Sequence, residues 1–266
     1  MKTAVRSGLR RTGLTRSRAA SIRALVERAA LSAVVRAPRR ARPRVLCYHS
    51  VGTPEWGVND VSAARFRRQI EGAMRAGHRF VPARRIAAGE AQPHELAITF
   101  DDGLATVATN AAPILAEYGI PWTLFVVSGW ADGRGPMPEL LMRWPHVERL
   151  MAGGAEIGSH SATHSDFSRL SACELERELV ASQEAICARL GVRPALFAIP
   201  NGRRRDWSDR AAVLARDAGY EHVFSACEDR RAPGTVGRTM ITSWDGERLF
   251  RSALRGAFDG WEEWIP

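Results

Sequence analysis

The run Leu96-Ala97-Ile98-Thr99-Phe100-Asp101-Asp102-Gly103 constrains this chain more than any other stretch. Five residues, apolar apart from Thr99, stop abruptly in two adjacent carboxylates and a glycine. A run of that length bounded by turn residues reads as a buried strand. Acids emerging from such a strand mark the carboxyl edge of a sheet, where α/β folds gather ligands. Adjacent strand residues point opposite ways, so one carboxylate can hold a cation while its neighbour stays available to move a proton. A plain strand followed by an Asp-Gly turn accounts for the same residues, and only the rest of the chain separates the two readings.

Fifty-eight residues beyond Asp102 comes His160-Ser161-Ala162-Thr163-His164. Imidazoles four apart fall on one side of a helical turn and can reach a single ion. Histidine pairs are also common on surfaces and in cores, so the pair gains meaning from Asp102. Together the three make a two-histidine, one-carboxylate set that leaves coordination positions open, as catalytic metal sites do. A third strand-like run, Leu196-Phe197-Ala198-Ile199, ends in Pro200-Asn201-Gly202, a tight turn whose backbone amides suit an oxyanion.

In this order the three segments resemble the polysaccharide deacetylase family, carbohydrate esterase family four, which shares its homology domain with chitooligosaccharide deacetylases. Thr99 to Gly103 matches the first motif and His160 to His164 the second. Phe197 to Gly202 is similar to the Phe-Ala-Tyr-Pro-Tyr-Gly form of the third, and the segment from Tyr48 to Val51 resembles the first strand of that subgroup. The resemblance spans roughly residues 44–256 and implies an α/β fold, a distorted (β/α)7 barrel. It further implies Asp102, His160 and His164 as ligands of a divalent metal, zinc first, with Co2+, Ni2+ or Mn2+ as alternatives. Asp101 is then the general base, and Pro200, Asn201 and Gly202 form the substrate and oxyanion turn. The implied reaction removes N-acetyl, or alternatively O-acetyl, groups from a carbohydrate such as a surface polysaccharide or its lipid-linked precursor.

Two departures stand out. Ala198 occupies the place of an arginine that in many members orients the catalytic aspartate. No late Leu-x-His segment supplies a general acid, since the last histidine is His222. His49, at the end of the first strand, is the substitute we expect, with Asp245 a second candidate. Leaving-group protonation by Asp101 or solvent stays open, as does a catalytically impaired, carbohydrate-binding relative.

Charge separates the chain into two parts. Of 38 Lys/Arg and 29 Asp/Glu, thirteen basic residues and one acid lie in residues 1–44, leaving 25 basic against 28 acidic in the remainder. The basicity thus belongs to an arm, 1–43, and not to the catalytic body, 44–266. Within it, residues 17–36 read as a basic amphipathic helix, with Ile22, Leu25, Val26, Ala29, Ala30, Ala33 and Val34 on one stripe and Arg18, Arg23, Arg28 and Arg36 elsewhere. Such a helix lies on an anionic membrane or packs on its own domain. Residues 1–15 read as disordered and Pro38 to Pro43 as a linker. Without aromatic interleaving the arm gives nucleic acid no specific reading surface.

No apolar signal core or membrane span interrupts the sequence, and Cys47, Cys173, Cys187 and Cys227 form no disulfide framework. A cytoplasmic protein, peripheral at the inner face of a membrane, is the expectation, with reduced cysteines, those of residues 171–190 on a buried face. Trp130 reads either as a sugar platform or as packing. The oligomeric state is left open. Helices are further expected over residues 105–118 and 139–151, and a last strand over 236–242.

Overall fold

A computed structural model describes residues 16–34 and 42–261. The stretch 1–15 and most of the expected linker at 38–43 lie outside the described residues. Helix α1 (Arg16–Val34) precedes strand β1 (Arg44–Tyr48), the short strands β2 (Ser50–Val51) and β3 (Asp60–Val61), helix α2 (Ala63–Arg75), β4 (Arg79–Phe80), α3 (Ala83–Ala87) and β5 (Glu95–Phe100). Then come α4 (Ala112–Glu117), β6 (Trp122–Val126), α5 (Ser128–Ala131), α6 (Trp144–Ala152), β7 (Glu156–Ser159), α7 (Ala172–Leu190) and β8 (Leu196–Ala198). The last elements are α8 (Asp209–Ala218), β9 (His222–Phe224), β10 (Thr239–Met240) and α9 (Glu247–Leu254).

Seven parallel strands run β10-β1-β5-β6-β7-β8-β9, with β4 beside β5 at its start. Every residue of β1, β5 and β6 is buried, as strands covered on both faces must be. The stretch from Val236 to Met240 touches both edges: Val236 bridges Phe224 of β9, and Thr239 and Met240 pair with β1. These few contacts curl the sheet into a half-closed ring, the distorted barrel that the motifs imply. Tyr48, Phe66, Phe100 and Trp122 fill one part of its core with edge-on and tilted ring contacts. Among the described residues no helix is long and apolar enough to cross a membrane.

Proline explains two differences from the expected helices. Pro145 fits a first turn but not a helix interior, so α6 begins at Trp144 instead of near residue 139. Pro113 has no N–H for an interior bond, and α4 is entered through a π turn over Val107–Ala111. The last strand shrinks to Thr239–Met240 because Val236 turns to β9 instead. No disulfide joins the four cysteines, yet Cys173 is exposed and Cys187 half-buried, since the buried stripe of α7 runs through Leu175, Leu179, Ser182, Ile186 and Leu190.

The reversal in α1 is larger. Val26 is 60% exposed, and Ala29, Ala30 and Ala33 face outward, whereas Arg28 is fully buried. Its guanidinium pairs with Asp245, donates to the Met240 carbonyl at 3.1 Å and lies over the rings of Phe258 and Trp261 at 4.0 and 4.8 Å. A carboxylate framed by two aromatic faces takes a guanidinium better than it takes alanine methyls, so the helix docks by its arginine.

Candidate active site

The three motifs leave the carboxyl ends of β5, β7 and β8. Five described residues other than glycine have left-handed backbones, and four of them are Asp102 (φ 70°), Ser161 (φ 69°), His164 (φ 61°) and Asn201 (φ 60°). Such conformations cost free energy and persist where surrounding contacts enforce them, commonly at functional sites. The expected helical turn at 160–164 is therefore absent. Glu178 of α7 replaces it as organiser: its carboxylate accepts the Ala162 and Thr163 N–H groups at 3.0 and 2.8 Å and the Thr163 hydroxyl at 2.6 Å. The His164 N–H donates to Ser161 Oγ at 3.0 Å, folding the second imidazole back over the first.

Asp102 Oδ1 lies 3.6 Å from His160 Nε2 and 3.5 Å from His164 Nε2, with the two rings 4.8 Å apart. His160 Nδ1 is 2.8 Å from the Ala198 carbonyl, which can only accept, so Nδ1 carries the hydrogen and the Nε2 lone pair faces Asp102. Burial lowers the His160 pKa to about 4 against the opposing pull of Asp101 and Asp102, so the ring is neutral at physiological pH. Asp102 Oδ1 is buried and has no hydrogen-bond partner. An orphaned carboxylate oxygen facing two imidazole nitrogens, all within 4.8 Å, is a set of donors that could hold a divalent ion and leave it open positions. Trp130, itself buried, lies tilted against His164 with centroids 5.2 Å apart and walls that imidazole.

Asp101 Oδ2 also lies 3.7 Å from His160 Nε2, but its hydrogen bonds run elsewhere. Arg238 grips it with two parallel bonds of 2.7 and 2.8 Å, while its Nε donates to the Ser225 carbonyl at 2.9 Å. Burial would raise the Asp101 pKa, but the guanidinium charge outweighs it and holds the carboxyl far below the usual range. Arg238 thus fills the role left vacant by Ala198, from a position sequence reasoning missed. The available signal was an arginine inside an expected buried strand. Glu178, on a long helix far from any motif, gave none.

His49 comes to the same side, as expected: its ring, Cys47 Sγ and the Asp101 carboxylate lie within 4.8 Å of one another. The His49 Nδ1 is buried and without a partner. Burial pushes the Cys47 thiol well up, and Asp101 is bonded to Arg238, so this second cluster is a poorer donor set for an ion than Asp102 with its two imidazoles. Asp245, the other candidate acid, is fully buried and bound by Arg28 and by the Thr242 N–H, which closes it to a leaving group. The Pro200-Asn201-Gly202 turn follows directly from Ala198, the acceptor for His160. Gly202 has φ 67°, and a Cβ there would sit 2.5 Å from the Ala226 nitrogen, so only glycine fits.

A family model described as polysaccharide deacetylase matches residues 88–223, just over half of the chain. The chain belongs to the polysaccharide deacetylase family. The matched segment holds Asp101, Asp102, both histidines and the Asn201 turn, whereas His49 and Arg238 lie outside it. A chitooligosaccharide deacetylase of Sinorhizobium fredii is 31% identical over 137 residues, 50% of this chain and 57% of that one. This chain spans about half the length of the curated relatives it matches. Among solved structures, the Streptococcus pyogenes deacetylase PplD superposes with a TM-score of 0.68 at 17% identity, covering 82% of this chain and 99% of that one. IcaB from Ammonifex degensii gives 0.67 at 23% identity, with coverage of 80% and 97%. Identities this low establish the deacetylase fold.

Proposed function

We propose that this polysaccharide deacetylase family protein is a metal-dependent hydrolase that removes acetyl groups, N-acetyl first, from a carbohydrate. The observation that carries this reading is the unpartnered Asp102 Oδ1 between two imidazoles, beside a second carboxylate that is hydrogen-bonded on both oxygens by Arg238. Asp102, His160 and His164 would hold the ion, and zinc matches their chemistry best. When bound, it supplies a Lewis acid for the acetyl oxygen and acidifies water.

This chain's residues supply the remaining parts. Asp101, ionised at any physiological pH, is the carboxylate placed to take the proton of the attacking water. His49, on the same side, donates a proton to the departing amine as the carbon–nitrogen bond breaks, giving acetate and a free amino sugar. Backbone N–H groups of the Asn201 turn meet the charge that develops on the acetyl oxygen.

The test is metal content measured beside acetate release from a panel of acetylated amino sugars. Asp101→Asn keeps the ion and loses turnover, whereas His160→Ala loses both. A stoichiometrically loaded wild-type protein that releases no acetate from any member would instead favour a carbohydrate-binding relative without turnover.

A further inference from the structure

Away from the histidines, α2 and α9 border a groove of about 350 Å³ whose lining includes Arg65, Arg68, Arg75 and Arg251, one acid, Glu247, and the uncharged Gly72 and Phe250. Phe250 is buried and forms its apolar floor. The cations are only weakly committed. Arg75 and Arg251 pair with Glu71 and Glu247 of their own helices at 3.6 and 3.4 Å, in exposed positions where such pairs contribute little. Arg65 donates to the Ser243 carbonyl with one of its five N–H groups. Arg68 is exposed and makes no ion pair among the described residues.

Positions 65, 68, 72 and 75 form one stripe of α2, three arginines and a glycine. Glycine is costly inside a helix, and nothing here requires it: a Cβ at Gly72 would meet only Arg75, at 4.0 Å. What the missing side chain provides is room between guanidinium groups. A space of small-ligand size ringed by arginine forks fits a phosphate-type anion.

The surrounding layer indicates where that phosphate is carried. Helix α9 packs against α2 and also against α1, which belongs to the segment with thirteen basic residues and one acid. The outward residues of α1 include Val26, Ala29, Ala30 and Ala33 beside the exposed Arg23, so what this helix brings to an anionic bilayer is its segment's positive charge. None of the large hydrophobic side chains exposed among the described residues is aromatic, so single-stranded nucleic acid finds no stacking platform. We infer that the groove between α2 and α9 seats the phosphate headgroup of an anionic lipid.

Co-sedimentation of the full chain with phosphatidylcholine vesicles, with and without phosphatidylglycerol, tests this. Wild type is expected to bind only the anionic vesicles. Arg68→Glu with Arg251→Glu lowers the partition coefficient about tenfold or more. Gly72→Gln fills the groove at unchanged charge and weakens binding comparably, with an unchanged or raised melting temperature. Arg210→Glu, on α8, lies outside the groove and leaves binding nearly as in wild type. Vesicle binding by Gly72→Gln equal to wild type would overturn the site and leave only diffuse attraction to the arm. Saturable binding of inorganic phosphate without vesicle binding would overturn the lipid as its source, and so would a DNA duplex preferred to the vesicles. Metal content and acetate release are expected to be unaltered in all three proteins, so this test is independent of the hydrolase reading.

Discussion

Replacing Arg238 by methionine tests the electrostatics of the site most directly. The substitution keeps much of the side-chain volume but removes both bonds to Asp101, at 2.7 and 2.8 Å, and leaves a carboxylate only 3% exposed without a counter-ion. Breaking a buried pair from one side costs about 3–5 kcal/mol. At roughly 2–4 °C per kcal/mol for a chain of this size, the melting temperature should fall by roughly 10 °C. The pH dependence fixes the cause. In the wild type the folded pKa of Asp101 lies below its unfolded value, so the pair stabilises the protein at every pH above about 4 and is lost only as pH falls through the folded value. In Arg238→Met burial acts without the guanidinium, and the folded pKa rises above the unfolded one. Stability from this group is then present at low pH and lost as pH rises, so the penalty is larger at pH 8 than at pH 5. The acid limb of acetate release moves upward for the same reason. Arg238→Lys retains the charge without the fork and should fall between. Adding Asp101→Asn to Arg238→Met should recover part of the stability, because an amide is far cheaper to bury unpaired than a charge. A single variant as stable as wild type at both pH values, with an unmoved acid limb, would refute the reasoning.

Four further outcomes follow from contacts elsewhere. Glu178→Ala strips the acceptor from two loop N–H groups and should weaken metal affinity about 10–100-fold by equilibrium dialysis, with Glu178→Gln recovering part of it. Arg28→Ala leaves Asp245 buried and unpaired and should cost about 3–5 kcal/mol in denaturant unfolding, with less lost when Asp245→Ala accompanies it. A truncation through residue 43 should therefore destabilise the barrel. Gly202→Ala forces a side chain into the Ala226 backbone at a left-handed position, and reduced acetate release at unchanged metal content is the expected signature.

What the sequence displayed and what it concealed divide along range of contact. Asp102, His160 and Asn201 were legible because each follows its strand within a few residues, and a strand's end is visible locally. The conformation joining His160 to His164 was not, because it depends on Glu178, fourteen residues beyond His164 and on another element. Arg238 and Arg28 were hidden more deeply: their carboxylate partners lie 137 and 217 residues away, and a lone arginine without its partner reads as surface. Yet the barrel's topology gives Arg238 a second duty. Its Nε holds the Ser225 carbonyl just past β9, two residues beyond the bridge made by Val236, while its fork reaches across to the end of β5. The seam that closes the ring and the carboxylate proposed for proton transfer share one guanidinium. Loosening that seam should therefore disturb Asp101 before it disturbs the two histidines, since His160 is held by the Ala198 carbonyl of β8 and the Val126 carbonyl of β6, and the His164 N–H by Ser161.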